Sequence, residues 1–170
     1  SPEQVVNHER KANTTDPESR IMKTRQGHVQ GFNAQAMVTA DQCIVSAEIT
    51  QEENDVHQLE PMLKALEATL DAAGIEDRPQ TLAADAGYWH DQLDVAKLEQ
   101  AGPELFIATA SRLNEAQAQQ TEGLPQGRIP DDITPKQRMT RKLRTKAGRA
   151  IYKLRSQTVE PVFGQIKSIM

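Results

Sequence analysis

The sequence has one cysteine, Cys43, among 170 residues. A lone thiol excludes an internal disulfide and any cysteine-built zinc site, and it suits a reducing compartment. Aromatic residues make up only 4% of the chain, so a core has to come from Ala, Leu, Ile and Val. No apolar run approaches the length that spans a bilayer, and the first residues carry no signal-peptide hydrophobic stretch. The sequence reads as soluble and intracellular, with no membrane partner and length for one domain.

Acid is nearly absent from one end. From Lys136 to Met170 there are ten Lys/Arg and a single carboxylate, Glu160, a net of +9. Residues 1–135 carry ten Lys/Arg against 23 acids, a net of −13, and the two together give the overall −4. This polarisation predicts either a basic face for a polyanion or a solvated helix docking on the acidic half.

What is present reads as alternating strands and helices. Residues 1–15 are polar and aperiodic, a flexible leader, and Asp16-Pro17-Glu18-Ser19 has turn or helix-start chemistry. Apolar runs from Val29 to Thr39 and from Cys43 to Thr50 flank Ala40-Asp41-Gln42, which predicts a hairpin. Leu59, Met62, Leu63, Leu66 and Leu70 fall at helical spacing, with Asn54 or Asp55 as the cap and Gly74 as the stop. Pro79 to Asp85 reads as a short buried strand, Asp91 to Gln100 as a helix, and Leu105-Phe106-Ile107-Ala108 as another strand. Residues 111–135 read as a linker or surface excursion, with 114–120 helix-compatible. From Pro135 onward the pattern is helical and basic, with a break at Gly148. Residues 16–110 thus form an α/β core, and 136–170 a basic helical segment.

Two carboxylates stand out. Asp85 follows the apolar Thr81-Leu82-Ala83-Ala84 and precedes Ala86-Gly87-Tyr88. The carboxyl ends of strands are where sites gather in open α/β sheets. Asp85 is either a ligand there or simply the cap of the following helix. Glu160 is either a ligand or a salt-bridged surface residue. As a pair they suit Mg²⁺ or Mn²⁺, hard ions that take oxygen ligands, and such ions serve phosphodiester chemistry. His8, His28, His57 and His90 show no metal-ligand spacing.

In this order the segments resemble the catalytic domain of bacterial insertion-sequence DDE transposases. They run from Thr15-Asp16-Pro17-Glu18-Ser19-Arg20-Ile21-Met22 through Gly31-Phe32-Asn33-Ala34-Gln35 and Asn54-Asp55 to Ala84-Asp85-Ala86-Gly87-Tyr88. The last is Tyr152-x-x-Arg155 followed by Val159-Glu160-Pro161-Val162-Phe163-Gly164-Gln165-Ile166-Lys167. The resemblance covers most of residues 14–170. It implies a ribonuclease-H-like mixed sheet flanked by helices, and a metal-dependent polynucleotidyl transferase that cleaves and joins DNA at element ends. Asp85 and Glu160 match the second catalytic Asp and the catalytic Glu, which hold Mg²⁺ or Mn²⁺. Tyr152, Arg155 and Lys167 match residues that contact DNA. The implied partners are element-end and target DNA and a second subunit on that DNA, in the bacterial cytoplasm at the nucleoid.

Two departures from the pattern stand in the sequence. Four residues separate Arg155 from Glu160, where the familiar spacing is three. No Asp-Gly-Thr-like motif supplies the first catalytic Asp, and Asp16 belongs to a segment that normally follows it. The sequence therefore reads as a piece lacking the first strand and the C-terminal end. Little or no catalysis is expected of it alone, and a remnant that only binds DNA or protein is the alternative.

Overall fold

The structure is a computed structural model that describes residues 14–24, 27–110, 125 and 127–169. Nearly all of the leader expected over 1–15 lies outside those residues. So does most of the stretch expected as a linker over 111–135, including the helix-compatible 114–120.

The first element is one the sequence pattern did not announce. β1 (Arg20–Thr24) and β2 (Gly27–Gly31) form an antiparallel ribbon in register from Arg20↔Gly31 to Thr24↔Gly27. Val29, expected to open the next hairpin, belongs to this ribbon. The hairpin itself is β3 (Asn33–Val38) paired antiparallel with β4 (Ile44–Thr50). Gln42 takes a φ of 64° in its turn, a left-handed conformation that polar turn residues tolerate.

α1 (Leu59–Ala72) buries the expected stripe of Leu59, Met62, Leu63, Leu66 and Leu70. Gly74 ends it with a φ of +68°, and Ile75 N–H donates back to the Leu70 carbonyl at 2.9 Å, a Schellman-type closure. The expected cap is corrected. The residue at the N-cap is Gln58, and its side chain makes no capping bond. Asn54 instead accepts from Val56 N–H, and the Asp55 side chain is engaged elsewhere.

β5 (Thr81–Ala84) and β6 (Glu104–Ile107) pair in parallel. Between them lie a 3₁₀ turn at Ala86–Tyr88 and α2 (Val95–Ala101), the crossover that parallel strands need. Asp94 caps α2 by accepting from Lys97 N–H at 3.0 Å. Leu105 and Ile107 are completely buried, as expected of strands covered on both faces.

The basic end forms α3 (Pro135–Arg144) and α4 (Lys146–Ile169). Thr134 and Gln137 make a reciprocal capping box at the start of α3. The break falls at Thr145, not at the expected Gly148. Gly148 lies buried inside α4, where an added Cβ would sit 2.1 Å from the Lys142 carbonyl oxygen. Its missing side chain lets the two helices touch at their elbow. Pro161 is accommodated inside the long helix.

One core ties these parts together: Leu59 and Leu63 of α1, Ala84 of β5, Leu105, Phe106 and Ile107 of β6, and Met139 and Leu143 of α3. Part of the basic segment docks on acid as well as on this core. Lys142 reaches Glu99 at 2.7 Å and Glu104 at 2.9 Å, and its ammonium lies 4.5 Å from the Phe106 ring centre. The result is an α/β architecture of the expected ribonuclease-H-like kind. Its strands fall into three two-stranded sheets, β1–β2, β3–β4 and β5–β6. Among the described residues no strand lies between β3 and β5.

Candidate functional site

The carboxyl end of β5 meets α4 at Asp85. Its backbone is extended, with φ −81° and ψ 178°, so the chain leaves the strand and turns at once into the 3₁₀ segment. Oδ1 accepts from Gly87 N–H at 3.0 Å, which caps that turn. Oδ2 accepts from the Arg155 guanidinium at 2.8 Å. Asp85 is therefore both a cap and a member of a site, and both its oxygens are engaged. The pair is partly sheltered, with side-chain exposure of 17% for Arg155 and 42% for Asp85.

A second carboxylate stands beside the first. A Cβ at Gly87 would lie 2.7 Å from Oδ2 of Asp55 and 3.1 Å from Oδ1 of Asp85. Only a glycine fits between the two acids. Asp55 is held from the hairpin: Asn33 Nδ2 donates to its Oδ1 at 3.0 Å and Gln35 Nε2 at 2.6 Å. Gln35 in turn accepts from the Tyr88 hydroxyl. The chain Tyr88–Gln35–Asp55 thus links the 3₁₀ turn, β3 and the loop before α1. Burial, then Asp55, then Asp85 push the Tyr88 pKa well above its usual 10, against a smaller lowering by Arg155.

The cluster sits at the edge of a cavity of about 710 Å³ between β3 and β5, lined by Asp55, Asp85, Tyr88 and Arg155 among others. Val159 lines it; its neighbour Glu160 does not. At about 100° per residue, five residues carry Glu160 about 140° around the helix from Arg155. Glu160 and Lys167, two turns apart, share an exposed face of α4. Tyr152 rests half-buried against the core. The structure thus brings Arg155 to Asp85 and sets Glu160 and Lys167 on the other side of the same helix.

Asp55 was read from the sequence as a possible helix cap and as part of the Asn54-Asp55 segment of the resemblance, with no role at the site. Its real partners lie 22 and 20 residues upstream, and no local pattern signals that pairing. His57 and His90 also meet, with ring centres 4.4 Å apart. Burial, then His57, depress the His90 pKa against a smaller raising by Asp91.

A divalent ion finds no ready set of donors in this arrangement. Among the described residues no group of three or more His, Cys, Asp or Glu gathers to hold one. The cation facing Asp85 is a guanidinium, and Glu160 is turned away from the cavity. The residues as arranged do not fit the ion. Among the described residues no helix is long and apolar enough to cross a membrane.

Compared with known proteins, residues 6–170 match the family model described as a transposase DDE domain. Neither the curated proteins nor the solved structures contain a match.

Proposed function

The chain belongs to the transposase DDE domain family, and from that premise we propose that its chemistry is DNA strand cleavage and strand transfer at the ends of an insertion element. In this reading Asp85 and Glu160 are the catalytic carboxylates, and a Mg²⁺ or Mn²⁺ held by both would need Glu160 brought round to the cavity side of α4. Tyr152, Arg155 and Lys167 belong to the DNA-contacting helix. Element-end and target DNA are the substrates, a second subunit joins on that DNA, and the setting is the bacterial cytoplasm at the nucleoid.

The observation that carries this reading is the Arg155–Asp85 pair. It places the basic helix against the carboxyl end of β5, where a phosphate held by cations would come close to an acid. Lys136, Arg138, Lys146 and Lys153 are exposed along α3 and α4 and supply a cationic face for the phosphate backbone.

A second reading, binding without cutting, has its own support. Arg155 already neutralises Asp85, and Glu160 stands about 140° away around the helix. The chain by itself is therefore expected to bind DNA and turn over little or none of it. Binding to a labelled duplex across a salt series, followed by incubation with Mg²⁺ or Mn²⁺, separates the readings. Salt-sensitive binding with no cleavage supports the binding reading for this chain alone. Metal-dependent cleavage that disappears in both Asp85→Asn and Glu160→Gln supports the catalytic one. Absence of DNA binding at low salt would sink both.

A further inference from the structure

We propose that His57 and His90 form a binding site for a borderline transition cation of the Zn²⁺ class, and that the bound ion clips the loop before α1 to the turn after β5. The two rings meet with centres 4.4 Å apart and planes at 60°. They come from distant parts of the chain, so no local spacing marks them. Each stands just beyond one of the neighbouring acids, His57 two residues after Asp55 and His90 five after Asp85.

The fold places both imidazoles. His57 takes a φ of 71°, a left-handed conformation in which histidine is enriched among non-glycine residues. The Gln58 N–H donates to the Asp55 carbonyl at 3.0 Å across it, and its side chain is exposed with room to turn. His90 begins the turn into α2, where its carbonyl accepts from the Leu93 N–H at 3.1 Å. Its Nδ1 is buried and has no hydrogen-bond partner among the described residues. A buried polar nitrogen without a partner costs free energy, and a metal ion is a partner that an imidazole accepts. Burial, then His57, hold the His90 pKa down against Asp91, so the ring is neutral, the form that ligates.

An imidazole nitrogen sits about 2 Å from Zn²⁺, which puts two ring centres on one ion about 5 Å apart at a tetrahedral angle. A small rotation of His57 takes the rings from 4.4 Å to that spacing. Nitrogen donors suit Zn²⁺, Cu²⁺ and Ni²⁺ better than Mg²⁺ or Mn²⁺, so this ion differs in class from the one assigned to Asp85 and Glu160. Glu60, Lys64, Asp94 and Lys97 line the same hollow of about 500 Å³. Glu60 holds Lys64 at 3.0 Å. Two acids and two lysines balance, which leaves selectivity to the imidazoles. Among the described residues no third His, Cys, Asp or Glu gathers with the pair, so water completes the coordination and the site is open and exchangeable.

The test is isothermal titration of the full chain with zinc chloride at neutral pH in a non-chelating buffer. We expect one saturable site per chain, no response to magnesium chloride, and binding weakened at least about tenfold in His57→Asn and in His90→Asn. His8→Asn, His28→Asn and Cys43→Ser remove the other His and Cys donors and should leave the binding unchanged. Histidine NMR of the unmodified chain reads the same site without relying on a variant that fails to fold. Zinc should shift the two imidazoles that share a ring-to-ring cross-relaxation peak, and slow amide exchange around His57 and His90. No binding, undiminished binding in both variants, or shifts confined to other histidines would overturn the proposal. So would one ion per two chains, which would assign the donors to a contact between copies.

Discussion

The guanidinium of Arg155 donates to Oδ2 of Asp85 at 2.8 Å across 70 residues of sequence. This contact joins the end of β5 to the middle of α4. Because Asp85 is partly open to water, the pair is screened and its worth is modest. Arg155→Ala is expected to cost about 1 kcal/mol. Urea unfolding of Arg155→Ala, Asp85→Asn and the double variant would measure the coupling directly. A coupling near zero would mean that the two side chains meet without holding the helix in place.

Gly87 keeps two acids apart, and that predicts an unusual sensitivity at an exposed glycine. Gly87→Ala would push a methyl group to within 2.7 Å of Oδ2 of Asp55 and 3.3 Å of its Cβ. The expected loss is about 1–3 kcal/mol, read as a lowered midpoint of thermal unfolding. In an Asp55→Ala background the same change should cost clearly less, because the blocking carboxylate is gone. An equal loss in both backgrounds would place the strain elsewhere.

The parts of the fold that were legible in the sequence are those with a local period. The α1 stripe repeats at helical spacing and is buried as read. β5 and β6 are short apolar runs closed by turn residues. The β1–β2 ribbon escaped notice because Ile21 and Val29 are 43% and 51% exposed, so no alternation of buried and solvent-facing residues marks it. The elbow between α3 and α4 was misplaced for a related reason. Thr145 leaves the helix with a ψ of 160°, while Gly148 owes its place to a neighbouring helix that the local sequence does not reveal. The site divides in the same way. Asp85 at the end of an apolar run is a local signal. Asp55 takes its partners from β3 and Arg155 finds Asp85 through the tertiary fold, so neither pairing can be read from spacing.

The elbow gives a third prediction. Gly→Ala in a helix interior ordinarily stabilises by about 1 kcal/mol. At Gly148 the added Cβ would meet the Lys142 carbonyl oxygen at 2.1 Å and the Leu143 Cα at 3.0 Å. These are backbone atoms and cannot swing aside. Gly148→Ala should therefore destabilise, by about 2 kcal/mol or more, opposite in sign to propensity. A stabilised variant in urea unfolding would show that α3 and α4 do not meet as described.

Tyr88 links the acids to pH. Burial and the neighbouring Asp55 and Asp85 raise its pKa above the usual 10.0, so folding favours the neutral phenol. The unfolded chain ionises this group near pH 10, while the folded chain holds its proton longer. The unfolded state then binds fewer protons, and stability falls as pH rises. The contribution of Tyr88 is thus complete below pH 10 and is lost as pH climbs from there toward the raised folded pKa. Unfolding free energy measured from pH 8 upward should decline more steeply in the native sequence than in Tyr88→Phe, which has no proton to lose. Tyr88→Phe also gives up the hydrogen bond to Gln35, so it should start about 1 kcal/mol lower at pH 8. The two curves should converge as the native one drops. Parallel curves over that range would mean that the Tyr88 hydroxyl is not held between the hairpin and the two acids.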